Sequence, residues 1–193
     1  MMEETTESTE SRGPVREVQV LFGLVALLWL VEIIDSVFLD STLQRQGIQP
    51  RTLSGIDGIL WAPFLHGTFG HLISNTIPLI VVGGLVMMRG LRRWAAVSLV
   101  IMLVGGLAVW LFARTHVHIG VSILIFGYLG YLLVVGFLDN DLLWKAVGIG
   151  VFVFYGGAIL TGILPIQRGI SWEGHLFGLG AGVLAAFLLK RPG

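Results

Sequence analysis

Apolar residues occur along this chain in long unbroken blocks, not in alternation. Six blocks, at roughly 18–38, 71–88, 94–112, 120–138, 142–164 and 171–189, each hold about 18–23 residues, enough to cross a hydrocarbon core of roughly 30 Å as a helix. Polar residues cluster between them: Arg89, Arg92 and Arg93; Arg114, His116 and His118; Asp139, Asn140 and Asp141; Arg168; and Lys190 with Arg191 at the end. The pattern predicts an all-α polytopic membrane protein with six transmembrane helices. The connection 39–65 is long for a compact fold and closes on GILWAPFL, a segment suited to lying in the membrane interface. Residues 1–17 are acidic and Ser/Thr-rich and lack the basic start and short apolar core of a cleaved signal, so a disordered tail is expected there, with a short second tail over 190–193. Pro78 is expected to kink the second block, and Gly105-Gly106 to let the third pack closely. Glu32 and Asp35 lie near the far end of the first block, where interfacial carboxylates are the expected reading.

Composition agrees with that reading. Of 193 residues, 55% are hydrophobic and 12% charged, with 27 glycines and a formal net charge of zero. Mean hydropathy is +0.87. The neutral balance suggests no nucleic-acid partner; the lipid bilayer is the expected one. Cysteine is absent, which excludes disulfides, thiolate chemistry and Cys-based metal sites.

Basic residues orient the chain. With the N-terminus inside, the inner segments hold Arg12, Arg16, Arg89, Arg92, Arg93, Lys145, Lys190 and Arg191, and the outer ones Arg45, Arg51, Arg114 and Arg168. By the positive-inside rule both termini are expected on the cytoplasmic side of a prokaryotic plasma membrane. All five histidines and Ser122 then fall at or near the outer ends of spans, a consequence not used in choosing the orientation.

The candidate chemistry starts from WEGHLFGLGAG. His175 is an ionisable residue in an apolar block, a functional-site hypothesis by default. Gly178 and Gly182 share its helix face at i+3 and i+7, so a neighbouring helix comes close just below it. The fourth block offers Gly120, Gly127 and Gly130 for that approach, and Ser122 at an expected depth on the order of 5 Å. A serine and a histidine at matched depth on packed helices are the minimum for an activated nucleophile. His71 and Asn75, at i and i+4 in HLISN, are suitable donors for an oxyanion, with the Ser122 N–H as a third. No carboxylate is placed to orient His175, because Glu173, two residues away, points elsewhere on a helix; a dyad is expected. Taken singly, each residue also has a structural reading: a membrane serine bonds back to its own helix, an Asn joins helices, and glycines serve packing.

HLISN in the second block, GVS in the fourth and GHLFGLGAG in the sixth, in this order, resemble the rhomboid intramembrane serine proteases; FLHGTFGHLISN, with His66, resembles that family's approach to its second helix. The resemblance covers roughly residues 18–189. It implies a six-helix rhomboid-like bundle with Ser122 as nucleophile, His175 as general base, His71, Asn75 and the Ser122 amide as oxyanion hole, and Gly120 as the glycine two before the serine. It implies cleavage of single-span membrane proteins near the outer boundary, without metal or other cofactor. Three positions depart from the family pattern: Ile123 follows the serine where many members have Gly, Phe126 stands for a frequent Tyr, and Trp61 is followed by Ala62 and Pro63 in place of a Trp-Arg pair. Two other readings remain: an inactive rhomboid-like protein that binds transmembrane helices, and a metal-binding or transport protein using His66, His71, His116, His118 and His175.

Overall fold

The computed structural model describes residues 12–166 and 169–190. Residues 1–11 of the expected tail, Arg168 and the chain end 191–193 lie outside them. Helix α1 spans Arg12–Phe38, so the segment 12–17, expected as tail, is helical. The reason is cooperative: once the apolar run has nucleated a helix, extending it backwards costs little. The other long helices are α2 (Phe69–Met87), α3 (Leu91–Phe112), α4 (Ser122–Leu138), α5 (Leu142–Gly162) and α6 (Trp172–Leu188). Four of these, α1 from Val15 onward, α2, α3 and α5, are long and apolar enough to cross a membrane. α4 and α6 are equally apolar but have 17 residues each, about 25 Å of rise.

α4 is the hub. It is buried on every side, and its buried residues run from Ser122 to Gly136. Lipid tails are as apolar as leucine, so helices here gain little from the hydrophobic effect and rely on close packing. The glycines provide it. A Cβ on Gly178 would sit 2.4 Å from the Ile123 carbonyl oxygen, one on Gly182 1.7 Å from that of Gly127, and one on Gly130 2.2 Å from that of Leu179. The backbones of α4 and α6 therefore touch along three turns. On the other flank of α4, a Cβ on Gly136 would lie 2.2 Å from the Lys145 nitrogen of α5. α5 leaves Phe152, Val153, Phe154 and Leu160 on the outside.

Two helices carry a π-helical turn, over Leu79–Gly83 in α2 and Ile101–Gly105 in α3. The first follows Pro78, whose missing N–H interrupts the ladder, so the expected kink takes the form of a bulge. In the turn between α2 and α3, Arg89 forms a salt bridge with Asp139 that is fully buried, and its guanidinium lies 4.7 Å from the Trp144 ring centroid.

Glu32 and Asp35 are enclosed by the protein and not open to their surroundings. Both are 2% exposed. Glu32 accepts a bond from Ser36 Oγ (3.2 Å), and Asp35 Oδ1 accepts the Leu43 N–H (2.8 Å). The chain doubles back after α1, and Asp35 satisfies the amides of that turn, which position along the sequence does not reveal. The long first loop is built of short helical turns. Arg51 Nη1 donates to the carbonyls of Leu111 (3.2 Å) and Ala113 (2.7 Å), and Trp110 Nε1 donates to Thr52 O (2.9 Å), fastening the loop to the end of α3. Its apolar close is divided: Ile59, Ala62 and Leu65 are buried, and Trp61 is half exposed.

A Gly182→Val substitution should force α4 and α6 apart and cost roughly 3 kcal/mol, the upper end of ordinary overpacking. Thermal unfolding in detergent micelles should show it as a clear drop in Tm. Gly180→Val, at a position with no neighbouring atom within 4 Å, should leave Tm unchanged.

Candidate functional site

Ser122 opens α4 rather than lying a few residues inside it. The cause is Gly120, whose φ of +118° is open to glycine alone at low cost and holds the chain outside the helix until Val121. Gly120 is thus a turn residue, not a helix-packing glycine as its spacing to Gly127 and Gly130 suggests. Its N–H donates to Ala62 O (2.8 Å), and the next amide, Val121 N–H, donates to His66 Nε2 (3.4 Å). As first residue of the helix, Ser122 has an N–H with no acceptor within the helix.

His175 lies one turn into α6, whose N-cap is Ser171: its Oγ accepts the Gly174 N–H. The His175 ring is placed by two contacts. Nδ1 is 3.0 Å from the Gly162 carbonyl at the end of α5, and the ring stacks on Phe126, with centroids 4.0 Å apart and planes 6° from parallel. A carbonyl oxygen only accepts, so Nδ1 holds the proton and Nε2 is the basic nitrogen. Glu173 points away from His175, to Arg114.

His71 and Asn75 lie on one face of α2. A Cβ on Gly120 would be 2.8 Å from His71 Cε1 and 3.5 Å from Ser122 Oγ, so imidazole and hydroxyl converge on the place where Gly120 has no side chain. Asn75 Nδ2 is buried and has no hydrogen-bond partner among the described residues. An unpaired buried donor carries a desolvation penalty and calls for an explanation. His71, Asn75, Ser122 and His175 line a single cavity of about 520 Å³, together with Thr68, Ser74, His116 and Ser171. Gly178 and Gly182 lie below it and set the helix spacing. Among the described residues no hydrogen bond joins Ser122 Oγ to His175.

The remaining histidines are spread over two places. His66 is buried, its ring edge-on to that of His71 (centroids 5.1 Å apart). Burial, and secondarily the neighbouring His71, push its pKa down to about 3. His116 and His118 stand side by side on the link before α4, ring centroids 4.0 Å apart. With Glu173 they offer three ligand atoms within 4.8 Å of one another. Arg114 already holds that carboxylate with Nε and with Nη2 (3.0 Å), and His118 uses both ring nitrogens, on Ser171 Oγ (2.6 Å) and Arg114 O (3.0 Å). A metal there would have to displace a cation and break a histidine contact. The Gly162 carbonyl and the Arg114 and Ser171 contacts escaped the sequence reading. Backbone acceptors leave no residue signature, and only Ser171 carried a visible cue, as a serine opening a helix.

A family model described as the rhomboid domain matches residues 56–192. An uncharacterized protein of Mycobacterium tuberculosis is 41% identical over 197 residues, covering 97% of this chain and 81% of that protein. One of Mycobacterium leprae is 42% identical over 200 residues, covering 98% and 77%. A Bacillus subtilis protein named "Putative rhomboid protease YdcA" is 27% identical over 177 residues, covering 89% and 87%.

The depressed His66 pKa sets a pH dependence. Folded His66 stays neutral down to about 3, whereas the unfolded chain takes up its proton near the ordinary value of 6.5. The unfolded state therefore binds more protons below 6.5, and stability should fall as pH drops from 6.5 toward 3. Melting curves in detergent from pH 7.5 to 4.5 should show this fall, and it should be shallower in His66→Gln, whose amide oxygen can still accept the Val121 N–H but does not titrate.

Proposed function

This chain belongs to the rhomboid family, and on that premise we propose that it is an intramembrane serine endopeptidase using Ser122 and His175. The observation that carries the reading is the shared cavity: a serine, a histidine with its Nε2 left basic, and an unpaired buried amide donor face one space. Ser122 Oγ attacks the carbonyl carbon of the scissile peptide while His175 Nε2 takes the hydroxyl proton. The Gly162 carbonyl holds the other ring N–H, and the Phe126 face supports the imidazolium that forms. The tetrahedral oxyanion is met by Asn75 Nδ2, a His71 ring N–H and the Ser122 N–H. Collapse of this intermediate breaks the C–N bond, and His175 returns its proton to the leaving amine. A water, deprotonated by the same nitrogen, then attacks the acyl-enzyme carbonyl and releases Ser122. The Ser122–His175 bond absent from the free enzyme forms when substrate enters, as is common for catalytic hydrogen bonds.

In this reading residues 18–189 form a six-span membrane domain, α4 and α6 included, with both termini cytoplasmic and the cavity near the outer face. The substrates are single-span membrane proteins cut near that boundary, after local unwinding frees the carbonyl from its helix. Neither metal nor cofactor takes part. The open Ser122–His175 contact and Ile123 beside it favour one second reading, an inactive member of the family that holds transmembrane helices without cutting them.

A fluorophosphonate should label the native protein in detergent and spare Ser122→Ala. Cleavage of a reporter span should vanish in Ser122→Ala and His175→Ala, and fall by about 10²–10³ in Asn75→Ala. Unlabelled native protein would favour the inactive reading, and cleavage that persists in Ser122→Ala would overturn the mechanism.

A further inference from the structure

The glycine contacts between α4 and α6 begin at Ile123 and run inward. Outward of Ser122, the offset between nucleophile and base must be set by something else. The link 113–121 delivers Ser122 to its place. It is held at its start by Arg51 on Ala113 O, and in the middle by paired backbone bonds between His118 and Ile48 (3.0 and 2.9 Å). Two side chains of this link reach across to the first turn of α6. Arg114 grips the Glu173 carboxylate through Nε and Nη2, and its backbone N–H adds a third donor at 3.3 Å. Four residues on, His118 bridges Arg114 O and Ser171 Oγ.

The His118 tautomer is settled by its partners. Arg114 O only accepts, so Nε2 carries the proton, and Nδ1 accepts from the Ser171 hydroxyl. That leaves the Ser171 oxygen free to receive the Gly174 N–H (3.3 Å) as the helix N-cap. The Ser171 carbonyl in turn accepts the His175 N–H (3.2 Å). Both anchors, Ser171 and Glu173, therefore lie in the helical turn that carries His175. Glu173 is 2% exposed, so its charge is held by Arg114 and not by water.

We propose that Arg114 and Glu173, seconded by His118 and Ser171, form a clamp that fixes the offset between the Ser122-bearing link and the His175-bearing turn of α6. These are positioning residues; none is required to touch the substrate. The inference rests on the Ser122–His175 reading above. It adds that the bidentate contact sets the rate of the chemical step: Arg114 presents two parallel N–H groups to one carboxylate, a geometry that lysine cannot reproduce.

The test compares native protein with Arg114→Gln, Arg114→Lys and Glu173→Gln, in detergent. Reporter-span cleavage gives kcat and KM, the rate of fluorophosphonate labelling reports on Ser122, and hydrogen exchange reports on segments 113–121 and 170–175. Glu173→Gln, which leaves a largely exposed Arg114 side chain in water, should lower kcat by tenfold or more with KM and Tm little changed, slow labelling in proportion, and speed exchange in both segments; Arg114→Gln, which strands the buried carboxylate, should show the same loss of rate together with a lower Tm. Arg114→Lys should recover only part of the rate. Glu173→Gln, close in shape to the native residue, decides the matter if Arg114→Gln does not fold. Labelling and kcat at native levels in either neutral variant would overturn the clamp, as would a loss of rate in Glu173→Gln that only tracks a fall in Tm. Native protein that is neither labelled nor active marks failure of the protease reading itself. Unchanged exchange in the variants would then sink the clamp separately.

Discussion

The backbones of α4 and α6 touch, and the rest of the molecule is arranged around that contact. At Gly178, Gly182 and Gly130 even a methyl group would collide with a carbonyl oxygen of the facing helix. Inside a bilayer, close approach of this kind is how helices gain attraction, since lipid competes equally for any exposed leucine. One consequence is geometric. Two helices whose axes are so close bring the residues at their N-terminal ends near each other too, and those residues are Ser122 and His175. A second is that α4 has no free face, so α2, α3 and α5 pack on its remaining sides.

Several of the polar contacts around the cavity gather where the backbone leaves regular helix. The turn at Gly120 exposes the Ala62 and His66 contacts and starts α4 at the serine itself. The end of α5 offers the Gly162 carbonyl, free of an i+4 partner at a helix terminus, to His175. The N-cap of α6 engages His118. Each helix end thus needs a partner for an orphan group, and each such partner belongs to the cavity or to the residues that frame it. The frame of the polar site and the capping of three helices therefore share atoms.

Aromatic and charged residues divide the remaining work by depth. Phe126 fills the space beside Gly162 and lies flat under the imidazole. At the C-terminal end of α4, Arg89 and Asp139 are wholly buried against Trp144; breaking such a pair leaves an uncompensated charge, typically a loss of 3–5 kcal/mol. Asp35 near the C-terminal end of α1 serves the first loop in the way that Ser171 serves α6, by taking up an amide left over at a change of direction.

Much of this was legible without coordinates. Helices are announced by unbroken apolar runs, because a bilayer demands internal satisfaction of every backbone group, and the His71, Asn75, Ser122 and His175 spacings put those side chains at corresponding ends of their helices. The neighbour of Gly178 and Gly182 could likewise be anticipated, since glycines on one face have no other use in a packed helix. What the residues alone did not determine were properties of the folded backbone. Gly120 has a spacing suited to packing, yet its positive φ makes it a turn. Glu32 and Asp35 sit where interfacial carboxylates belong, yet are buried because the chain folds back over them. The proton on His175 is placed by a backbone carbonyl from a helix 13 residues away in sequence, a group that every residue carries and that no residue type announces. Side-chain identity and periodicity are written in sequence; dihedral angles and backbone acceptors are decided only when distant segments meet.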